Sequence, residues 1–216
     1  MAENAATKVD IFFSSYPERT YPKGQILVFA DENPEYVFYV TSGRVRKYDV
    51  SYRGEEVIIN VFKAPSFFPM SWAINRMPNK FFYKTETATT LHIVPADEAI
   101  QFVRDNPDVM FDLLSRLYKG LEGLYGRLVH LMSGTAHSRL VYELLIECRR
   151  FGQKQPDGSC TLAISEVDLA ARSGLSRETV SREISKLKAR NIIQLVSKTI
   201  IVQSTTDLEM LLGAEL

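Results

Sequence analysis

Between Ser165 and Arg190 the chain reads SEVDLAARSGLSRETVSREISKLKAR, which Gly174 divides into two short helical segments. In the first, Ser165 is a candidate N-cap, Asp168 suits the positive end of the helix dipole, and Val167, Leu169 and Ala170 supply a small apolar face. In the second, Ser176 is a candidate N-cap, and Val180, Ile184 and Leu187 recur at i, i+4 and i+7 as one buried stripe. The opposite arc carries Glu178, Ser181, Arg182 and Ser185, with Arg177 in the first turn. Such a helix suits the major groove of double-stranded DNA. Arg pairs with guanine O6 and N7, Glu accepts from cytosine N4, and Ser or Lys holds phosphates.

For a lone helix, a charged outer arc is more often only a solvated face. The neighbours argue otherwise here. Gln194-Leu195-Val196 and Thr199-Ile200-Ile201-Val202 read as a β-hairpin wing, with Lys198 at its tip placed to reach a phosphate. From Ser165 to Ile200 the basic residues Arg172, Arg177, Arg182, Lys186, Lys188, Arg190 and Lys198 outnumber Glu166, Asp168, Glu178 and Glu183. The whole chain is balanced, with 26 basic and 26 acidic residues, so any nucleic-acid contact must come from a local patch. A length of 216 residues with 45% hydrophobic content allows two modest domains. No stretch approaches the ~20 apolar residues of a membrane span, and the N-terminus lacks an apolar signal core, so a cytoplasmic protein is expected. Cys148 and Cys160 are too few for a four-thiolate metal site and read as ordinary thiols, with a redox pair as the lesser alternative.

Ahead of this segment lie three more organised regions. A short helix is expected near Val9 to Ser14, and from Tyr21 to Val94 short β-branched and aromatic runs alternate with turns such as Ser42-Gly43 and Arg53-Gly54. That spacing predicts an antiparallel sandwich or roll rather than βαβ units. Within it, residues 63–80 hold three prolines and the single tryptophan, a long aromatic loop that is either a ligand site or a plug filling the roll. After a short helix from Pro95 to Val103, a long one is expected from Pro107 to about Met132. On it Leu114, Leu117, Leu121, Leu124, Leu128 and Leu131 are spaced 3, 4, 3, 4, 3, an a/d seam that favours a parallel dimer coil over an intramolecular stripe. Tyr118, Tyr125 and Met132 flank the seam as a second packing face, and Gly120, Gly123 and Gly126 read as close-approach points or, equally, as a source of flexibility in a switching helix. Ser133, Gly134 and Thr135 then form a hinge, followed by a helix over Arg139 to Phe151 and a strand over Thr161 to Ile164, and Leu208, Leu211 and Leu212 mark a short amphipathic tail.

The expected fold class is therefore α+β: an antiparallel β-roll over 1–106, a dimerisation helix and hinge over 107–134, and a winged helix-turn-helix over 135–216. This order resembles the Crp/Fnr family of bacterial transcription factors, typified by the cyclic-AMP receptor protein and the fumarate–nitrate reductase regulator. The resemblance runs from about Tyr21 to Val202 and is strongest at Gly174-Leu175-Ser176-Arg177-Glu178-Thr179-Val180-Ser181-Arg182. It implies that Arg177, Glu178 and Arg182 read base edges, with RNA polymerase as a further partner. Ser181 matches the branch preferring TTGAT-like half-sites rather than the TGTGA-like branch, which has Gly there. Cyclic-nucleotide binders of the family carry a Gly-Glu pair and, about ten residues on, Arg followed by Ser or Thr. Placed without gaps, these positions are Pro69-Met70 and Lys80-Phe81, and the adenine-facing helix positions are Leu124 and Tyr125. A lysine cannot imitate bidentate guanidinium geometry, so cyclic AMP is not expected to bind. Either a less polar effector uses Phe67, Met70, Trp72, Lys80 and Phe82, with Leu124 and Tyr125, or the roll is filled and the protein needs no cofactor. An iron–sulfur sensor would need cysteines ahead of Cys148, and His92, His130 and His137 are too scattered for haem. A cupin-type metalloenzyme is the remote alternative, since His92 is the only histidine of the roll; a partner-binding module that does not read DNA is the nearer one.

Overall fold

The computed structural model describes residues 4–197 and 199–213. It divides the chain into two compact units, one ending at Leu117 and the other starting at Tyr118. The first contains α1 (Ala5–Ser14), β1 (Glu18–Tyr21), β2 (Ile26–Val28), β3 (Tyr36–Ser42), β4 (Arg44–Val50), β5 (Glu56–Lys63), β6 (Ser66–Phe68), α2 (Met70–Asn75), β7 (Phe82–Thr85), β8 (Thr89–Pro95), α3 (Ala96–Asp105) and the start of α4 (Pro107–Ser133). Its strands form two four-stranded antiparallel sheets, ordered β1-β8-β3-β6 and β2-β7-β4-β5. Gly43 joins β3 to β4 with φ +85°, and a Cβ there would lie 2.3 Å from the Ala88 carbonyl oxygen, so the turn admits only glycine without rearrangement.

The segment expected to be one long loop is instead strand β6 followed by helix α2. The alternation of a strand explains why: Phe67 and Phe68 point to opposite faces of β6 and each completes a different core. Phe67 joins Phe13 and Tyr39 beneath α1 and α3, with ring centroids 5.4 Å from Phe13 and 6.5 Å from Tyr39. Phe68 is fully buried between the sheets, stacked 5.0 Å from Tyr83 and 5.4 Å from Phe38. Strand β1, also absent from the sequence reading, pairs its mostly exposed residues with β8 along an edge.

The second unit holds the rest of α4, then α5 (Ala136–Arg150), β9 (Gln153–Lys154), β10 (Cys160–Leu162), α6 (Glu166–Ser173), α7 (Arg177–Ala189), β11 (Ile193–Val196), β12 (Thr199–Val202) and α8 (Thr205–Gly213). The strands form one sheet, ordered β11-β12-β10-β9. Its core gathers Leu140, Val141 and Leu144 of α5, Leu169 of α6, and Val180, Ile184 and Leu187 of α7. The expected amphipathic tail proves to be a core helix, for Leu208 and Leu212 of α8 are buried in the same cluster. Cys148 and Cys160 are both free and buried, and burial pushes the Cys148 thiol up, away from the reactive thiolate.

The Phe68 stack should dominate the stability of the first unit. Phe68→Ala is expected to cost about 3–5 kcal/mol in a urea titration followed by tyrosine fluorescence. A loss below ~1 kcal/mol would mean that the sheets do not pack through this ring.

Candidate nucleic-acid interface

Local chemistry sets where α6 and α7 begin and where α6 ends. Ser165 accepts a hydrogen bond from the Asp168 backbone N–H at 3.1 Å, and Ser176 accepts one from the Thr179 N–H at 3.2 Å. Between them Gly174 ends α6 in the left-handed region, φ +66°, its N–H donating to the Ala170 carbonyl at 3.0 Å. Helix α7 then buries Val180, Ile184 and Leu187 at 1% exposure or less, and this rotates Ser176, Arg177, Glu178, Arg182, Ser185 and Lys186 outward; Ser181 is half-buried. The Glu178 carboxyl lies below its ordinary range, held by its own backbone N–H, then Ser176, with Arg177 and Arg182 adding charge. It is thus an acceptor at neutral pH. Arg182 donates to the Thr179 hydroxyl at 3.2 Å, and Ser185 donates back to the Ser181 carbonyl at 2.9 Å.

Lys186 is already engaged. Its ammonium donates to Glu183 at 2.6 Å, and the same carboxylate meets His137 Nδ1 at 2.9 Å. Burial opposes the charge on Glu183, but the hydrogen bonds from Lys186 and His137 outweigh it and hold the carboxyl below its usual range. The wing forms as expected from β11 and β12, in register Ile193↔Val202 to Val196↔Thr199. Lys198, expected at its tip, lies outside the described residues.

Behind the outer arc, two buried glutamates one turn apart on α5 each hold an arginine from another helix. Glu143 accepts two hydrogen bonds from Arg127 of α4, at 2.5 and 2.9 Å, and Glu147 pairs with Arg172 of α6. The bend at Ser133, Gly134 and Thr135 is laced across by further contacts. Thr135 caps α5 by accepting from the Ser138 N–H at 3.1 Å, and Arg139 donates to the Leu131 carbonyl at 2.9 Å. Tyr142 donates to the Gly123 carbonyl at 3.2 Å, and a Cβ on Gly126 would fall 1.9 Å from the Tyr142 hydroxyl. Gly126 is therefore a close-approach point; Gly120 and Gly123 have open space around them, against expectation.

On α4 the seam leucines stay accessible within the chain: Leu114, Leu117, Leu124, Leu128 and Leu131 are 39–56% exposed and Leu121 is half-buried. Tyr118, Tyr125 and Met132, expected to form a second packing face, are exposed as well. The side chains grouped as an effector pocket do not converge within the first unit. Phe67 and Met70 are spent in its core, and Trp72 is half-buried with the Arg76 guanidinium 4.8 Å over its ring. Lys80 turns outward to Asp31, 3.3 Å away. Phe82 lies on the face of β7 opposite Tyr83 and stacks on Tyr48 at 5.2 Å. Leu124 and Tyr125, the remaining members of that group, are exposed on the part of α4 in the second unit. A cation absent from the sequence reading, Lys47 of β4, shares the inward face with Val45 and Tyr83. The Val45-x-Lys47 alternation was the signal for it.

Two family models match: the cyclic nucleotide-binding domain over residues 18–106 and the Crp-like helix-turn-helix domain over 138–211. The global nitrogen regulator of Synechocystis sp. is 28% identical over 195 residues, spanning 88% of this chain and 85% of its own length. The cAMP-activated global transcriptional regulator CRP of Haemophilus influenzae is 24% identical over 196 residues, spanning 90% and 87%. Among solved structures, a CooA variant from Carboxydothermus hydrogenoformans superposes with a TM-score of 0.79 over 98% of this chain and 96% of its own; at 22% identity it speaks for the fold alone. Among the described residues no helix is long and apolar enough to cross a membrane, and no three His, Cys, Asp or Glu side chains group to hold a metal ion.

The buried pair of Arg127 and Glu143 should make one-sided changes costly. Glu143→Ala is expected to lower stability by about 3–5 kcal/mol in chemical denaturation, while Glu143→Leu combined with Arg127→Met recovers most of it. Additive losses in the double variant would show that the two side chains act independently.

Proposed function

Because this chain belongs to the Crp/Fnr family of transcription regulators, whose helix-turn-helix domain binds DNA, we propose that it works as a homodimer that reads a palindromic site with the helix from Ser176 to Lys188. One observation carries the reading. Helix α7 is N-capped and locked by a fully buried apolar stripe, and its free arc presents Arg177, Glu178 and Arg182 side by side. A backbone already held rigid in this way adds little to the ordering cost of binding. Ser181 and Ser185 lie on the same arc, and Lys186, restrained by Glu183, serves as a weaker phosphate contact than a free lysine would.

The dimer follows from α4. Six leucines at heptad spacing, largely accessible in the single chain, fit a partner helix better than solvent. Two recognition helices would then enter successive major grooves about 34 Å apart. RNA polymerase is the further partner this reading implies, and the cytoplasm its compartment. Cyclic AMP has no place in it. Pro69 and Met70, standing where the family's ribose carboxylate would be, are buried, and Lys80 is drawn to Asp31 at the surface.

Selection from a random DNA pool with no added ligand, at fixed moderate salt, should enrich a two-fold palindrome with G·C pairs in each half. Arg177→Ala and Arg182→Ala should each lose roughly 1–3 kcal/mol and relax the preference at one position. Equal weakening on all sequences would reassign them to phosphates. Leu121→Asp together with Leu124→Asp should yield monomers by light scattering that no longer bind the palindrome tightly, and a persisting dimer would refute the seam.

A further inference from the structure

Glu183 stands on the flank of α7 that turns towards α5. It is buried, yet its carboxyl lies below the ordinary range, so it is a carboxylate at neutral pH. A carboxylate only accepts, which makes His137 Nδ1 the donor in their 2.9 Å contact. The other carboxylate oxygen takes the Lys186 ammonium at 2.6 Å. Lys186 follows Arg182 by one turn and therefore flanks the base-reading arc. An ion pair between two exposed side chains would hold that lysine weakly, because water screens it and both chains must be ordered. Here only the lysine is exposed, with 64% of its side chain accessible against 8% for the glutamate. The acceptor is fixed beforehand by α5 and screened less than a surface carboxylate, so Lys186 alone gives up rotamers to form the pair.

We propose that Glu183 is a positioning residue that withholds Lys186 from the DNA backbone, and that His137 keeps it in place to do so. A lysine already neutralised by a carboxylate displaces few counterions when DNA arrives. The recognition helix thereby gives up part of the sequence-independent affinity that retains a protein on random DNA, and Arg177, Glu178 and Arg182 supply a larger share of the binding. This rests on the DNA-binding reading and deepens it by assigning a role to two residues behind the outer arc.

The test is a double-mutant cycle of Glu183→Gln and Lys186→Met, read as affinity for a random-sequence duplex across a salt series. An amide is uncharged and offers one acceptor oxygen where the carboxylate offers two, so Glu183→Gln can keep His137 but lets Lys186 go. With Glu183 present, Lys186→Met should leave the slope of log K against log salt nearly unchanged. In the Glu183→Gln background the same change should make the slope shallower by about two per homodimer, one phosphate contact for each protomer. Equal effects in the two backgrounds would overturn the proposal, because a lysine acting only through the general field contributes the same in both. Glu183→Leu fills the site without charge and gives a second background should the amide upset folding, with the same expectation and the same refutation. Wild-type protein that binds no DNA in this series would defeat the DNA-binding reading as well, whereas binding without coupling would defeat this inference alone.

Discussion

Helix α5 is the beam to which the DNA-facing half of the molecule is fixed. Leu140, Val141 and Leu144 on it are fully buried, and on the same helix Glu143 and Glu147, one turn apart, are buried with them. Removing two carboxylates from water is expensive, and only a closely matched cation offsets the cost. Arg127 supplies it from α4 and Arg172 from α6. A hydrophobic contact tolerates sliding better than a buried, charge-assisted hydrogen bond does. The two pairs therefore act less as sources of stability than as stops that set where α4 and α6 sit along α5. Helix α7 inherits its position from α6 across the Gly174 turn.

The same logic explains the bend between α4 and α5. Ser133, Gly134 and Thr135 have the composition of a hinge, yet Arg139, Tyr142 and the Gly126 close approach hold the two helices together on either side of it.

In the first unit, aromatic packing does what the ion pairs do in the second. Phe67 and Phe68 are neighbours in the chain but belong to different cores, so β6 ties the helical layer of α1 and α3 to the interior of the sheets. In the sequence this stretch looks like a loop because a three-residue strand between prolines has too few residues to display its alternation. Lys80, at a position where cyclic-nucleotide binders of the family carry Arg, groups in the sequence with the candidate pocket residues. Asp31, distant in sequence, draws Lys80 outward, whereas plain alternation from Val45 points Lys47 inward.

What the sequence determined by itself is what spacing and capping determine. These include both helices of the helix-turn-helix with their serine caps, the outward arc of Arg177, Glu178 and Arg182, the wing, the leucine seam and the antiparallel character of the first unit. Each depends on residues within a few positions of one another, where local geometry dictates which way a side chain points. Tertiary structure alone decided the partners. Glu143 and Glu147 look like surface charges of an amphipathic helix until Arg127 and Arg172 arrive, and Glu183 looks like half of a local pair with Lys186 until His137 joins it. The terminal leucines look like a tail until Leu208 and Leu212 close the core around α5. Sequence spacing specifies a face; what that face meets is fixed only when distant segments compete to bury it.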